Sequence, residues 1–271
     1  MKRVLVTGGT GFVGRQVIRA LKNRAKVHAT LRPGQQIEGV TTIETPDLFA
    51  ESQAWWGDVL RDIDIVIHLA WIATPGEYLT SPVNHDCMCG TLTMARAAAG
   101  KVARFVGIGT CFEYEMTGKV LGFNAPLDPQ TPYAGAKAGT HAALQGLFAQ
   151  SDTQLAWARL FHLYGDGEDP RRLVPFLHQK LAAGEPVDMT SGKQVRDFID
   201  VTKAGDMLAD VALGDITGAL NICTGTPITV RELAESIADG YGRRDLLRFG
   251  ARPENLFDPP HVVGSPLQSK P

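Results

Sequence analysis

The chain has 271 residues, 44% of them hydrophobic and 21% charged, which are the proportions of a globular protein rather than of a disordered or membrane-embedded one. Its 27 basic and 29 acidic residues leave a net charge of −2, which argues against nucleic acid as the partner, because phosphate binding needs a basic surplus. The four cysteines, Cys87, Cys89, Cys111 and Cys223, form no CxxC pair, so free thiols in a reducing compartment are expected and a metal site is not.

The opening "MKRVLVTGG" has an apolar run too short for a signal peptide. The longest apolar stretch, "IVIHLAWIA", is about half of the ~20 residues a membrane span requires. The expectation is a soluble, cytoplasmic protein that does not engage a membrane.

Along the chain, "RVLV" (3–6) is β-branched and apolar, as a strand buried on both faces should be. Residues 11–24 then place Val13, Val17, Ile18 and Leu21 at helical spacing. Strands follow at 26–31 and 64–70, a helix at 91–99, a strand at 104–109, a helix at 132–150 and a strand at 154–160. Such alternation predicts an α/β fold, a doubly wound parallel sheet with helices on both faces. It marks residues 1–165 as a first domain.

After residue 165 the pattern changes. "GDGEDPRR" is turn-rich, and 173–184 is a helix ending in Gly. Residues 186–201 read as two short extended pieces around a Ser-Gly turn. The stretch 229–240 is an amphipathic helix with Thr229 as cap and Glu232 three residues on. Residues 166–271 are expected to form mainly a small lobe, with returns to the sheet near 195–225. The pair "WW" (55–56) reads as core packing.

"TGGTGFVG" (7–14) joins the first strand to the first helix and spaces Gly8, Gly11 and Gly14 three residues apart. Glycines here permit a tight turn and close approach of the backbone to a pyrophosphate, which the helix N-terminus attracts. At the end of the second strand, "ATLRPG" offers no acid before Glu38 and places Arg32 where an adenosine 2′-phosphate would lie. An arginine pairs with that phosphate and an acid would repel it. The cofactor expected is NADP, with NAD the less favoured choice.

"YAGAK" sets Tyr133 and Lys137 four apart on one helix face. A nearby ammonium should lower the phenol's pKa and suit it to acid–base work, although such a pair alone is common on helix surfaces. Taken with "TGGTGFVG", "DIVIHLAW", "RFVGIGT", "RLFHLYG", "RDFIDV" and "NICTG", in this order, the chain resembles extended short-chain dehydrogenases/reductases, which include nucleotide-sugar epimerases, dehydratases and reductases. The resemblance implies a Rossmann-type sheet with a small C-terminal substrate lobe. It implies a cofactor site of Gly8, Gly11, Phe12, Val13, Gly14, Arg32, Asp47, Leu48, Leu69, Ala70, Trp71, Tyr133 and Lys137. Tyr133 would be the acid/base, Lys137 its electrostatic partner and ribose ligand, and Thr110 the hydroxyl that polarises the carbonyl.

In dehydratases of this group the hydroxyl residue is followed by Asp-Glu, where this chain has Cys111 and Phe112. Neither can transfer that proton, so dehydration is not expected, and "GTCFEY" is most like reductases acting on nucleotide-linked 4-keto-6-deoxy sugars. Glu113 is expected to be structural or exposed. For the substrate, the resemblance implies contacts from Thr110 and Cys111, with Arg196 and Arg252 on a diphosphate. His162 stands where relatives carry Asn; it is either a substrate contact or a packed histidine. Cys87 falls where many relatives have Asn, and Asn84 lies three residues earlier. The implied partners are a nucleotide-diphosphate sugar and a second copy of the chain in a homodimer. The expected activity is NADPH-dependent reduction of a keto group, at C4. The alternatives are an NAD-dependent 4-epimerase and a non-catalytic NADP-binding protein.

Overall fold

The computed structural model describes residues 1–255 and 258–266, so residues 256–257 and 267–271 of the expected lobe lie outside the described residues. The first strand, β1 (Arg3–Thr7), feeds α1 (Phe12–Leu21), which turns Val17 and Leu21 onto the sheet. Then come β2 (Lys26–Leu31), β3 (Thr41–Glu44), α2 (Gln53–Val59), β4 (Ile65–His68), α3 (Val83–Ala98), β5 (Arg104–Thr110), α4 (Pro132–Phe148) and β6 (Gln154–Leu160). Strands 26–31 and 154–160 match the sequence expectation residue for residue. Two features of this half differ from it. β3 and α2 fill a stretch in which the sequence pattern signals no element, with Trp56 of α2 fully buried. Helix α3 begins at Val83, eight residues before the apolar run that signals it, because its first turns bury Asn84 and Cys87 rather than aliphatic side chains.

The later half contains β7 (His162–Tyr164), α5 (Leu173–Ala182), β8 (Val187–Met189), β9 (Val195–Arg196), β10 (Phe198–Asp200), α6 (Val201–Leu213), β11 (Gly218–Ile222), β12 (Ile228–Thr229), α7 (Val230–Tyr241), β13 (Leu247–Phe249) and β14 (His261–Val262). Helix α6 is a further departure from the sequence expectation; Asp200 caps it by accepting the Thr202 and Lys203 N–H groups. The box read at α7 is present, with Thr229 and Glu232 each accepting the other's backbone N–H.

Among the described residues the main sheet runs β11-β6-β5-β4-β1-β2-β3, with every pairing parallel. Strand order reverses between β1 and β4, the switch point at which open α/β sheets take a ligand beyond the carboxyl ends of their strands. One face is sealed by α1 and α6 over Val4, Val6, Ile65, Ile67 and Ala156, the other by α2, α3 and α4 over Leu5, Val66, Phe105 and Trp157. A separate apolar cluster joins α5 and α7 to β8 through Leu177, Leu181, Val187 and Ala234.

Candidate active site

The glycine loop is shaped by contact distance. Gly8 has φ +70°, and a Cβ there would lie 2.8 Å from the Ala70 nitrogen. A Cβ on Gly14 would lie 2.1 Å from the Gly8 carbonyl oxygen, so the first turn of α1 tolerates no side chain at that position. Gly11 caps α1 without a side-chain hydrogen bond, and the first turn carries no acid. The N–H groups of Phe12, Val13 and Gly14 therefore start a helix whose positive end faces the crevice, which fits a dinucleotide pyrophosphate. Beyond β2, Arg32 is exposed. Its backbone N–H donates to Gln35 Oε1, and Gly34 N–H donates to Glu44 Oε1, so that acid is already engaged. Asp47 lies just past β3 and accepts the Phe49 N–H at 3.0 Å; Leu48 packs half-buried beside it against the α2–α3 core.

The end of β4 is fixed by a directional chain. Ala70 N–H donates to Thr7 Oγ1 at 3.2 Å, and that hydroxyl donates to His68 Nδ1 at 2.8 Å. The Thr91 hydroxyl donates to the Cys87 carbonyl at 2.6 Å, leaving its oxygen to accept from His68 Nε2 at 2.8 Å. Burial keeps His68 neutral by lowering its pKa to about 3, so its one proton sits on Nε2 and Nδ1 accepts. Leu69, Ala70 and Trp71 leave the strand from this anchor. Trp71 Nε1 donates to Asn84 Oδ1 at 2.8 Å, and Asn84 Nδ2 donates to the carbonyls of Tyr78 and Ser81 at 2.7 and 2.8 Å.

Thr110, Tyr133 and Lys137 come together where β5 and α4 meet. Thr131 caps α4 on the Ala134 N–H, with Pro132 in the first turn, so Tyr133 and Lys137 share one face of a well-started helix. Lys137 is 4% exposed; its Nζ donates to the Ile108 carbonyl at 2.7 Å and lies 3.7 Å from the centre of the Trp71 ring. Burial lowers the amine's pKa to about 7, with Glu113 and Cys87 opposing. The phenol of Tyr133 behaves differently from expectation. Burial raises its pKa well above the ordinary tyrosine value; Tyr78, Cys111 and Glu113 push the same way, and a hydrogen bond with the Thr110 side chain opposes them. Lys137 Nζ stands 6.0 Å from the centre of the Tyr133 ring and is turned to Ile108 and Trp71, so the anticipated lowering by the ammonium is not found. At neutral pH this phenol is protonated, the form that donates to a carbonyl oxygen.

Glu113 is structural and wholly buried, not exposed. Its carboxylate accepts the Thr110 N–H at 2.8 Å, Trp157 Nε1 at 3.1 Å and Arg159 Nε at 2.7 Å. Arg159 also donates to Tyr114 Oη at 3.0 Å, and Tyr114 donates to Asn221 Oδ1 at 2.6 Å. This paired, hydrogen-bonded charge sets the turn that carries Thr110.

The residues expected on the substrate are dispersed more widely. Cys111 is 2% exposed in a cluster with Tyr114, Leu121, Phe161 and Cys223, beside the Thr110 side chain, and its thiol is pushed up to about 12 by burial. His162 is half-buried between Phe112 and Phe198. Burial, with Arg196 and Arg172 nearby, lowers its pKa to about 3. The Arg196 side chain is 5% exposed and donates to Asp258 Oδ1 at 2.6 Å, so an anion arriving there meets a guanidinium that already has a carboxylate partner. Arg252 is exposed, with its backbone N–H on the Met189 carbonyl. Sequence reasoning singles out neither Tyr78 nor Arg172; a tyrosine in "PGEYLTSP" and an arginine in "GDGEDPRR" look like ordinary loop residues, and only the fold brings Tyr78 to Tyr133 and Arg172 to Tyr78.

Among the described residues no group of His, Cys, Asp and Glu is arranged to hold a metal ion, and no helix is long and apolar enough to cross a membrane. The dTDP-6-deoxy-L-talose 4-dehydrogenase (NAD(+)) of Aggregatibacter actinomycetemcomitans is 23% identical over 268 residues, 97% of this chain and 99% of that protein. The UDP-glucose 4-epimerase of Thermus thermophilus, solved with NAD, superposes with a TM-score of 0.82 at 25% identity, covering 98% of this chain and 91% of that one. The UDP-N-acetylglucosamine 4-epimerase of Methanobrevibacter ruminantium, solved with UDP-N-acetylmuramic acid, gives 0.86 at 24% identity over 98% and 90% and shares the fold. The sequence model of the NAD dependent epimerase/dehydratase family matches residues 4–218. The chain is thus an enzyme of the extended short-chain dehydrogenase/reductase type and belongs to the NAD dependent epimerase/dehydratase family.

Proposed function

We propose that the protein reduces a ketone, at C4, of a nucleoside-diphosphate-linked deoxysugar, with NADPH as hydride donor. The observation that carries this reading is the meeting of the Tyr133 and Thr110 side chains at the end of β5, with the Lys137 amine held on the Ile108 carbonyl of the same strand. Bound in the crevice, the nicotinamide supplies the hydride. Tyr133 donates its proton to the carbonyl oxygen, Thr110 orients that oxygen, and Lys137 and Trp71 line the ribose side. Positioned acid catalysis of this kind contributes about 10²–10⁴-fold. Cys111 and Phe112, where a dehydratase needs acids, support reduction over elimination, and a relative named for 4-dehydrogenation supports C4. Arg196 and Arg252 are the proposed diphosphate ligands, Arg196 exchanging Asp258 for phosphate; His162 adds a neutral imidazole beside them. Pairing of two copies through α3 and α4 fits the exposed small residues Ala142, Ala143 and Gly146, and size-exclusion chromatography with light scattering reads the state.

Exposed Arg32, with Glu44 already engaged by Gly34, supports NADP over NAD. Arg32→Glu should reverse the ratio of NADPH to NADH affinity, measured by cofactor fluorescence; an unchanged ratio removes Arg32 from the choice. The second reading is an NAD-dependent 4-epimerase, favoured by the likeness to an epimerase solved with NAD. The test is NADPH and NADH oxidation against a panel of nucleotide-linked 4-keto-6-deoxyhexoses, with product configuration read by NMR. Stoichiometric oxidation supports the reductase; tightly bound, non-exchanging NAD and no net oxidation support the epimerase.

A further inference from the structure

The loop between β4 and α3 places a second phenol on the first. Tyr133 N–H donates to the Leu79 carbonyl at 3.1 Å, and the Tyr78 ring stands edge-on to the Tyr133 ring with centroids 4.9 Å apart. Across the same tyrosine, the Arg172 guanidinium lies 5.2 Å from the Tyr78 ring centre, within cation–π range. Arg172 is the cap residue of α5, whose apolar face belongs to the α5–α7 cluster and not to the main sheet. The loop itself is held from below by fully buried Asn84, which grips the Tyr78 and Ser81 carbonyls while accepting from Trp71. Two aromatic rings and a guanidinium thus run in sequence from α4 to α5, and Trp71 links the base of that loop to Lys137.

We propose that Tyr78 is a positioning residue for Tyr133, fixing the orientation of its phenol toward Thr110 and tying that orientation to Arg172 at the start of α5. An edge-on aromatic pair is strong enough to select one ring orientation over others several-fold. The proposal rests on Tyr133 being the proton donor. It makes a specific distinction: the Tyr78 ring is required and its hydroxyl is not. Phenylalanine should therefore replace Tyr78, while leucine, similar in hydrophobicity but without a ring, should not.

The test uses full-length protein labelled at tyrosine ring carbons. The chain has five tyrosines, so single Tyr→Phe substitutions assign each resonance. Thermal melting first establishes that each variant is folded. Tyr78→Leu and Arg172→Met should each move the Tyr133 ring resonances, and Tyr78→Phe should leave them near their wild-type positions. A Tyr133 spectrum unmoved in both Tyr78→Leu and Arg172→Met overturns the proposal, as does one moved equally by Tyr78→Phe and Tyr78→Leu. This readout needs no substrate, so an empty ketosugar panel counts against the reductase reading and not against this one. With a substrate from that panel, Tyr78→Leu should lower kcat about 2- to 10-fold at unchanged KM, with Phe restoring it. A raised KM at intact kcat would make Tyr78 a binding residue and overturn the positioning role.

Discussion

Replacing Lys137 with methionine should stabilise the fold while removing function. The amine is 4% exposed, and burial takes its pKa from 10.5 to about 7. Each pH unit between those values corresponds to about 1.4 kcal/mol, so at neutral pH the buried amine costs the fold about 4 kcal/mol. Methionine keeps the stem and removes this cost. It also leaves the Ile108 carbonyl without its donor, a loss of about 1–3 kcal/mol. The net gain is about 1–3 kcal/mol, a rise in Tm of about 2–5 °C for a chain of this size. The sign with pH follows from the direction of the shift. Between 10.5 and about 7 the unfolded chain binds a proton that the folded chain does not, so wild-type stability falls as pH falls through that window. Below about 7 the cost is constant; above 10.5 it vanishes. Urea denaturation of wild type and Lys137→Met at several pH values from about 6 to about 10 isolates this one group, because other titrations cancel in the difference. The variant should lead near neutral pH, with the gap closing as the solution becomes alkaline. A variant less stable than wild type at neutral pH, or a gap that ignores pH, would refute the reasoning.

Gly14→Ala should abolish dinucleotide binding, read by cofactor fluorescence, because its Cβ would lie 2.1 Å from the Gly8 oxygen and the loop must move. Gly34→Ala is the control, being a loop glycine with open space around it, and should bind cofactor at only a modest cost in stability for its positive φ. Glu113→Gln should destabilise by about 3–5 kcal/mol in denaturant titration, since Arg159 is left charged and unpaired in the core. Glu113→Leu combined with Arg159→Met should recover much of that loss, and a purely additive double variant would mean the pair is not coupled.

The parts of the fold visible in the sequence are those where one local rule acts alone. The glycine loop, strands β2 and β6 and the Thr229–Glu232 box each follow from spacing or capping within a few residues. Helix α6 is hidden because "RDFIDV" reads as an extended motif, and its cap, Asp200, sits inside that motif. The start of α3 is hidden because polar Asn84 and Cys87 face inward, where they serve hydrogen bonds and not apolar packing. At the site, Thr110, Tyr133 and Lys137 are readable from motif order, but the electrostatics are not. Whether an ammonium lowers a phenol's pKa depends on where its long side chain turns, and Ile108 and Trp71 decide that from other strands and loops. The Glu113–Arg159 pair joins residues 46 positions apart, so Arg159 in "QLAWARL" looks like one charge in an apolar strand. Tyr78 and Arg172 meet only through the docking of α5 beside the loop after β4.

The most direct measurement is single-turnover NADPH oxidation by Tyr133→Phe with a nucleotide-linked 4-keto-6-deoxyhexose that wild type reduces. The account predicts cofactor affinity equal to wild type and a hydride-transfer rate lower by about 10²–10⁴-fold. A rate within a few-fold of wild type would contradict it.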